Sequence, residues 1–134
     1  MDFLDAVRAC LGKYGTFVGR ARRSEYWFFV VFSYLVGQAT LPLSFIVGHY
    51  GGLLTLATIA LLVPGIAVGM RRLHDTNRAG WWLLLNLVPI AGQIVLTIWM
   101  FERGTPGTNR FGADPAPETH AGGAASDANT LAPV

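Results

Sequence analysis

Three long stretches without Asp, Glu, Lys, Arg or His constrain this chain more than anything else in it: 26–47, 51–70 and 81–101. A helix rising 1.5 Å per residue needs about 20 apolar residues to cross roughly 30 Å of hydrocarbon, and each stretch is long enough. Charged residues make up 13% of the 134-residue chain, against about 25% in an ordinary soluble domain. The deficit is concentrated in these stretches. Backbone groups in lipid must be satisfied internally, and the stretches lack the two-residue alternation of barrel strands. The sequence therefore predicts an all-α integral membrane domain over 1–113 with three transmembrane helices. Pro42, Pro64 and Pro89 each interrupt one stretch, as kinks that membrane helices tolerate. In the third, "NLVPIAGQ" places proline and glycine near the centre, which leaves a re-entrant hairpin as the alternative to a full crossing.

An export signal is the competing reading of the first stretch. "RRSEYWFF" and Gly37-Gln38-Ala39 loosely match a twin-arginine signal and a cleavage site. The apolar run continues past that site, so a retained anchor is expected.

Orientation follows from the ten Lys and Arg residues. Arg8, Lys13, Arg20, Arg22 and Arg23 precede the first stretch, and the connection "GHYGG" carries none. Arg71, Arg72 and Arg78 lie between the second and third, with Arg103 and Arg110 after the third. With three crossings, the positive-inside rule puts the N-terminus and the 71–80 loop in the cytoplasm and the C-terminus outside.

Residues 2–15 have a pattern of their own. Phe3, Leu4, Val7, Cys10, Leu11 and Tyr14 fall at helical spacing on one side, which predicts an amphipathic helix on the membrane surface. From Asp114 on, the chain is alanine, glycine, proline and small polar residues. That composition cannot bury a core, so 114–134 is expected to be disordered.

Lipid gives no hydrophobic drive to bring helices together, so small residues and interhelical hydrogen bonds must do so. Ser33, Gly37, Thr40 and Ser44 form one stripe on the first helix, and Gly65 and Gly69 belong to a stripe on the second. Asn86, Gln93 and Thr97 line up on the third at helical spacing. These are the expected packing seams of a bundle or an oligomer.

The polar stretch "RRLHDTNRAGWW" at 71–82 lies between two apolar runs. Arg71 and Arg72 mark where a helix leaves hydrocarbon, Thr76 or Asn77 can cap the next, and Trp81 and Trp82 suit headgroup depth. Trp27 suits the start of the first helix and Trp99 the far end of the third. A catalytic reading would use His74 and Asp75, the pair found in metal phosphohydrolases. Such a centre needs more ligands, and the other histidines are His49, on the expected opposite face, and His120, in the tail. The single cysteine, Cys10, offers no disulfide or CxxC site. No catalytic, cofactor or metal site is expected. Instead Arg20, Arg22, Arg23, Glu25, Arg71, Arg72, His74, Asp75 and Arg78 are expected to crowd at the inner helix ends. There Glu25 and Asp75 would pair with arginines and the surplus positive charge would face lipid phosphates.

"GRARRSEYW", "PGIAVGMRRLHDTNRAGWW", "LVPIAG" and "GTPGTNRFGADP", in this order, resemble the bacterial inner-membrane family known as domain of unknown function 805. The resemblance covers about residues 1–115, with Ala79 standing where the family often has serine. It implies a small multi-span protein of the bacterial cytoplasmic membrane and implies no activity. The expected partners are the bilayer with its anionic headgroups and another copy or another membrane protein, and no nucleic acid. Three functions stay open: a non-enzymatic accessory or envelope component, an oligomeric transporter or channel, and a membrane enzyme using the His74–Asp75 loop.

Overall fold

The structure, a computed structural model, describes residues 1–117. The expected disordered tail lies outside the described residues from 118 on. The described residues form five α-helices: α1 (Phe3–Gly12), α2 (Arg23–Val47), α3 (Gly51–Ala60), α4 (Leu62–Asp75) and α5 (Ala91–Phe101), with 3-10 helices at Gly48–Tyr50 and Gly80–Leu87. No strand forms among them, and one isolated bridge joins Asn109 to Gly112. The helical run Arg23–Asp75 is apolar and long enough to cross a membrane, and Ala91–Phe101 is a shorter apolar helix.

That run folds back on itself. Gly48, with φ 52° and ψ −98°, takes a backbone conformation that suits glycine, and it ends α2. Three contacts then fix an antiparallel hairpin. A Cβ added at Gly51 would meet Ser44 O at 2.6 Å, the Thr40 and Thr58 hydroxyls are 2.8 Å apart, and Ala21 N donates to Arg71 O at 3.0 Å. The return arm breaks at Leu61 because Pro64 has no N–H to offer the Ala60 carbonyl. The Tyr14 hydroxyl donates to that carbonyl instead, at 2.5 Å.

The third apolar stretch departs from a single spanning helix. Pro89 cannot donate to the Leu85 carbonyl and drives Val88 to an extended conformation, φ −89° and ψ 107°. Ile90 follows at φ 64°, an uncommon conformation for a β-branched residue. The chain reverses there. Val88 N takes over the Leu85 carbonyl at 3.0 Å. The 8-residue 3-10 helix and the 11-residue α5 are each about 16 Å long, half a hydrocarbon core. They are two arms of a hairpin, and Trp82 and Trp99 meet at their open ends with ring centroids 5.7 Å apart.

Two expectations are thereby corrected. Residues 81–101 do not form one spanning helix, and the segment after α5 lies on the same end of the molecule as Arg20 and Asp75 rather than on the opposite one. Trp99 is corrected with them: Trp27 stacks on Phe101 at 4.4 Å, so Trp27, Trp81, Trp82 and Trp99 all gather at one end.

Helix α1 packs on protein as well as presenting an apolar face outward. Ala6, Val7 and Cys10 are buried, and Phe3 meets Phe28 edge-on at 5.8 Å, while Leu4 and Leu11 stay exposed. A Cβ added at Gly65 would meet Phe29 at 3.8 Å and one at Gly69 would meet Leu83 at 3.2 Å. Other seam residues lie elsewhere. Nothing comes within 4 Å of a Cβ added at Gly37. Asn86 and Gln93 are exposed, because the reversal at Ile90 cuts the helical phase that would have aligned them.

The hairpin arms touch at Gly92, where an added Cβ would lie 1.8 Å from Leu85 O. Gly92→Ala is expected to destabilise the protein by ~1–3 kcal/mol. Gly37→Ala is expected to be neutral or stabilising by ~0.5–1 kcal/mol. Thermal unfolding in detergent checks the pair, and equal melting of the two variants would place the arms apart.

Candidate functional site

The last turn of α4 carries charge into the interior. Arg71 and Arg72 are 1% and 0% exposed, and His74 and Asp75 are buried beside them. Buried charge is costly unless paired and hydrogen-bonded. Asp75 supplies the pairing. Its Oδ1 accepts from Arg20 Nε at 2.9 Å and Nη2 at 2.8 Å, and its Oδ2 accepts from Arg72 Nη1 at 2.5 Å. Glu25 Oε1 accepts from Arg71 Nη1 at 2.6 Å, with the Cys10 thiol 3.7 Å away. Arg71 Nε and Nη2 are buried without a hydrogen-bond partner among the described residues. Asp114 stands 4.0 Å from Arg20. Three buried arginines thus face three carboxylates.

The chain after α5 completes the cluster. The final carbonyls of a helix have no partners within it, and α5 has no basic residue in its last turn. Other elements supply the donors. Arg72 donates to Met100 O and Glu102 O, Trp27 Nε1 to Met100 O at 3.3 Å, and Arg23 Nη1 to Phe101 O at 3.2 Å. These cations also sit at the negative end of the α5 dipole. Beyond it, Arg20 donates to the carbonyls of Thr105 and Gly107, and Thr105 N donates to Asp75 O at 2.7 Å. Gly104 makes this approach possible, since a Cβ there would lie 2.1 Å from Asp75 Oδ2.

His74 ties the same segment down. Its ring stacks on Phe111 with centroids 4.1 Å apart and planes 4° apart, its Nδ1 lies 2.9 Å from Gly19 O, and its carbonyl accepts from Asn109 Nδ2 at 2.9 Å. Burial lowers the His74 pKa below the ordinary imidazole value, with Arg110 acting the same way and the Gly19 carbonyl opposing. Burial also raises the Asp75 pKa, while Arg20 and Arg72 pull it back. The Cys10 thiol is pushed up to about 12 by burial and by Glu25, so it stays protonated and unreactive.

The expected residues therefore divide in two. Arg20, Glu25, Arg71, Arg72, His74 and Asp75 come together inside. Arg22, Arg23 and Arg78 stay at the rim, where Arg78 meets Glu102 at 2.8 Å and lies over Trp99 at 4.6 Å. The sequence reading had no place for Gly104, Thr105, Gly107, Asn109 or Phe111. The signal for them was the "GTPGTNRFGADP" run, whose turn residues put backbone carbonyls where guanidinium groups can reach them. Among the described residues no group of three His, Cys, Asp or Glu could hold a metal ion. Within the cluster Asp75 accepts from Arg20 and Arg72, and Glu25 from Arg71.

A helical membrane domain, closed at one end by a buried arginine–carboxylate cluster, is the class this architecture defines. The family model described as "Protein of unknown function (DUF805)" matches residues 14–113. This chain belongs to the DUF805 family. It is 42% identical over 117 residues to Inner membrane protein YhaH of Escherichia coli strain K12, covering 84% of this chain and 97% of that protein. It is also 42% identical over 106 residues to Inner membrane protein YhaI of the same strain, covering 78% and 90%. No solved structure matches significantly.

Removing one partner of a buried pair costs about 3–5 kcal/mol, whereas an exposed pair is worth about 0–1 kcal/mol. Asp75→Asn is therefore expected to melt far below Arg78→Ala, and equal melting would show that the cluster does not hold the fold. A pH dependence follows from His74. Its folded pKa lies below its unfolded value, so protonation favours the unfolded state. The stability it contributes is present above about pH 6.5 and is lost as the pH falls from there toward the lowered folded value. His74→Gln is expected to flatten the fall in melting temperature between about pH 7 and 5.

Proposed function

We propose that this protein is a non-enzymatic, multi-pass component of the inner membrane, accessory to other envelope proteins, that acts through helix packing and contact with anionic lipid. In this reading 26–47 and 51–70 cross the bilayer, 81–101 enters and returns, and both ends of the described chain lie in the cytoplasm. One observation carries it. With the third stretch folded back, Arg20, Arg22, Arg23, Arg71, Arg72, Arg78, Arg103 and Arg110 lie at one end, and the Gly48–Tyr50 turn at the other end carries no Lys or Arg. That is the asymmetry of the positive-inside rule. The tryptophans at the charged end suit an aromatic belt at headgroup depth. The consumption of Glu25 and Asp75 by arginines favours a structural cluster over a catalytic one.

The re-entrant hairpin favours a protein neighbour within the membrane. Leu84, Leu87 and Ile90 are exposed around its tip. Irregular backbone at membrane depth needs protein or water around it, not lipid. A second copy or another membrane protein would satisfy that need.

Impermeant-thiol labelling of intact cells tests the topology on a Cys10→Ser background. His49→Cys is expected to label from outside. Thr76→Cys and Thr108→Cys are expected to label only after the membrane is opened. Labelling of Thr108→Cys from outside would return the third stretch to a full crossing.

A further inference from the structure

A cavity of about 390 Å³ lies between the start of α2 and the segment that follows α5, lined in part by Arg22, Arg23, Ser24, Asp75, Arg103 and Gly104. Its charge is one-sided. Among the described residues Asp75 is its one acidic lining residue, and both carboxylate oxygens are taken by Arg20 and Arg72. Among the described residues Arg22 donates to Pro115 O and Arg23 to Phe101 O, acceptors that carry no countercharge. Arg103 has no hydrogen bond or ion pair among the described residues. The amides at the start of the 25-residue α2 add to this, because no side chain caps them. Uncapped first-turn amides at the positive end of a helix dipole favour an anion. Guanidinium groups are the side chains best shaped for phosphate oxygens.

We propose that this cavity binds the phosphate of an anionic phospholipid headgroup, held by Arg22, Arg23 and Arg103. The position favours a lipid over a free anion. Ser24 lies two residues before the apolar run 26–47, and Arg103 two residues after the run 81–101. The cavity therefore opens where hydrocarbon gives way to headgroups. Trp27 and Phe101, stacked 4.4 Å apart, stand next to it on the apolar side. The inference rests on the membrane reading above and narrows its general lipid contact to one cavity.

Native mass spectrometry of the full chain in detergent, titrated with phosphatidylglycerol or phosphatidylcholine, tests it. The parent is expected to retain phosphatidylglycerol preferentially. Arg103→Gln is expected to weaken that binding about fivefold, and the triple Gln variant at 22, 23 and 103 by at least about tenfold. Arg103 has no hydrogen bond or ion pair among the described residues, so its variant is expected to melt like the parent and keeps the test valid should the triple variant unfold. Arg8→Gln with Lys13→Gln, which removes basic residues outside the cavity, is expected to change binding less than about twofold. If the parent prefers phosphatidylglycerol but Arg103→Gln and the triple variant bind it equally well, the cavity is overturned and the general lipid contact survives. If the parent shows no preference, both fall. If inorganic phosphate protects the parent from thermal unfolding in lipid-free micelles and displaces phosphatidylglycerol at comparable concentration, the ligand is a free phosphate and the lipid assignment is overturned.

Discussion

The fold closes on one carboxylate. Asp75 holds Arg20 from the segment before α2 and Arg72 from its own helix, so it fastens the open end of the α2–α4 hairpin. The same two arginines then reach the carbonyls of Met100, Glu102, Thr105 and Gly107, which brings the chain after α5 onto that end. Without the carboxylate, the buried Arg72 would lose its paired countercharge and Arg20 would keep only Asp114 at 4.0 Å, a more costly state than a merely broken contact. Gly104 shows how tight this closure is, since the backbone passes so near Asp75 Oδ2 that no side chain fits between them.

Proline sets the path that delivers those carbonyls. Pro64 and Pro89 each leave a carbonyl four residues earlier without its helical donor. At Ala60 the Tyr14 hydroxyl replaces the donor, the arm continues as α4 after the break at Leu61, and the segment that follows α1 is tied to it. At Leu85 the replacement comes from Val88 N within the same turn, and the chain reverses at Ile90. The same chemical defect thus gives a continuing arm in one place and a hairpin in the other, according to where the substitute donor comes from. The reversal brings Arg103 and Arg110 to the end that holds Arg20, Arg22 and Arg78. It also explains why α5 needs no basic residue of its own, since its terminal carbonyls are met by Arg23, Trp27 and Arg72.

Burial sorts the arginines into two kinds. Arg20, Arg71 and Arg72 are matched by Asp75, Glu25 and Asp114, and they hold the fold. Among the described residues Arg22 and Arg23 meet backbone carbonyls, Arg103 meets no acceptor, and all three line the cavity beside the start of α2. Sequence treats these residues alike, as basic positions flanking apolar runs. Only the location of the acids separates a structural guanidinium from one left available to a ligand.

The apolar stretches by themselves determined an all-helical, membrane-suited chain, and the charges flanking them determined which end of the first two helices is basic. Those conclusions rest on length, composition and hydrogen-bond satisfaction, which are properties of local sequence. The pairing of Glu25 with Arg71 and of Asp75 with Arg20 spans 46 and 55 residues; the sequence supplied the participants, and the hairpin supplied the meeting. The third stretch was decided only in three dimensions. Its length and hydropathy fit a full crossing as well as two half-length arms, and Pro89 permits either a kink or a reversal. The reversal is held by contacts between residues far apart in the chain: Trp82 on Trp99, Arg72 on Met100 and Glu102, and His74 on Phe111. No local pattern encodes those contacts, because each depends on where the other helices have already placed its partner.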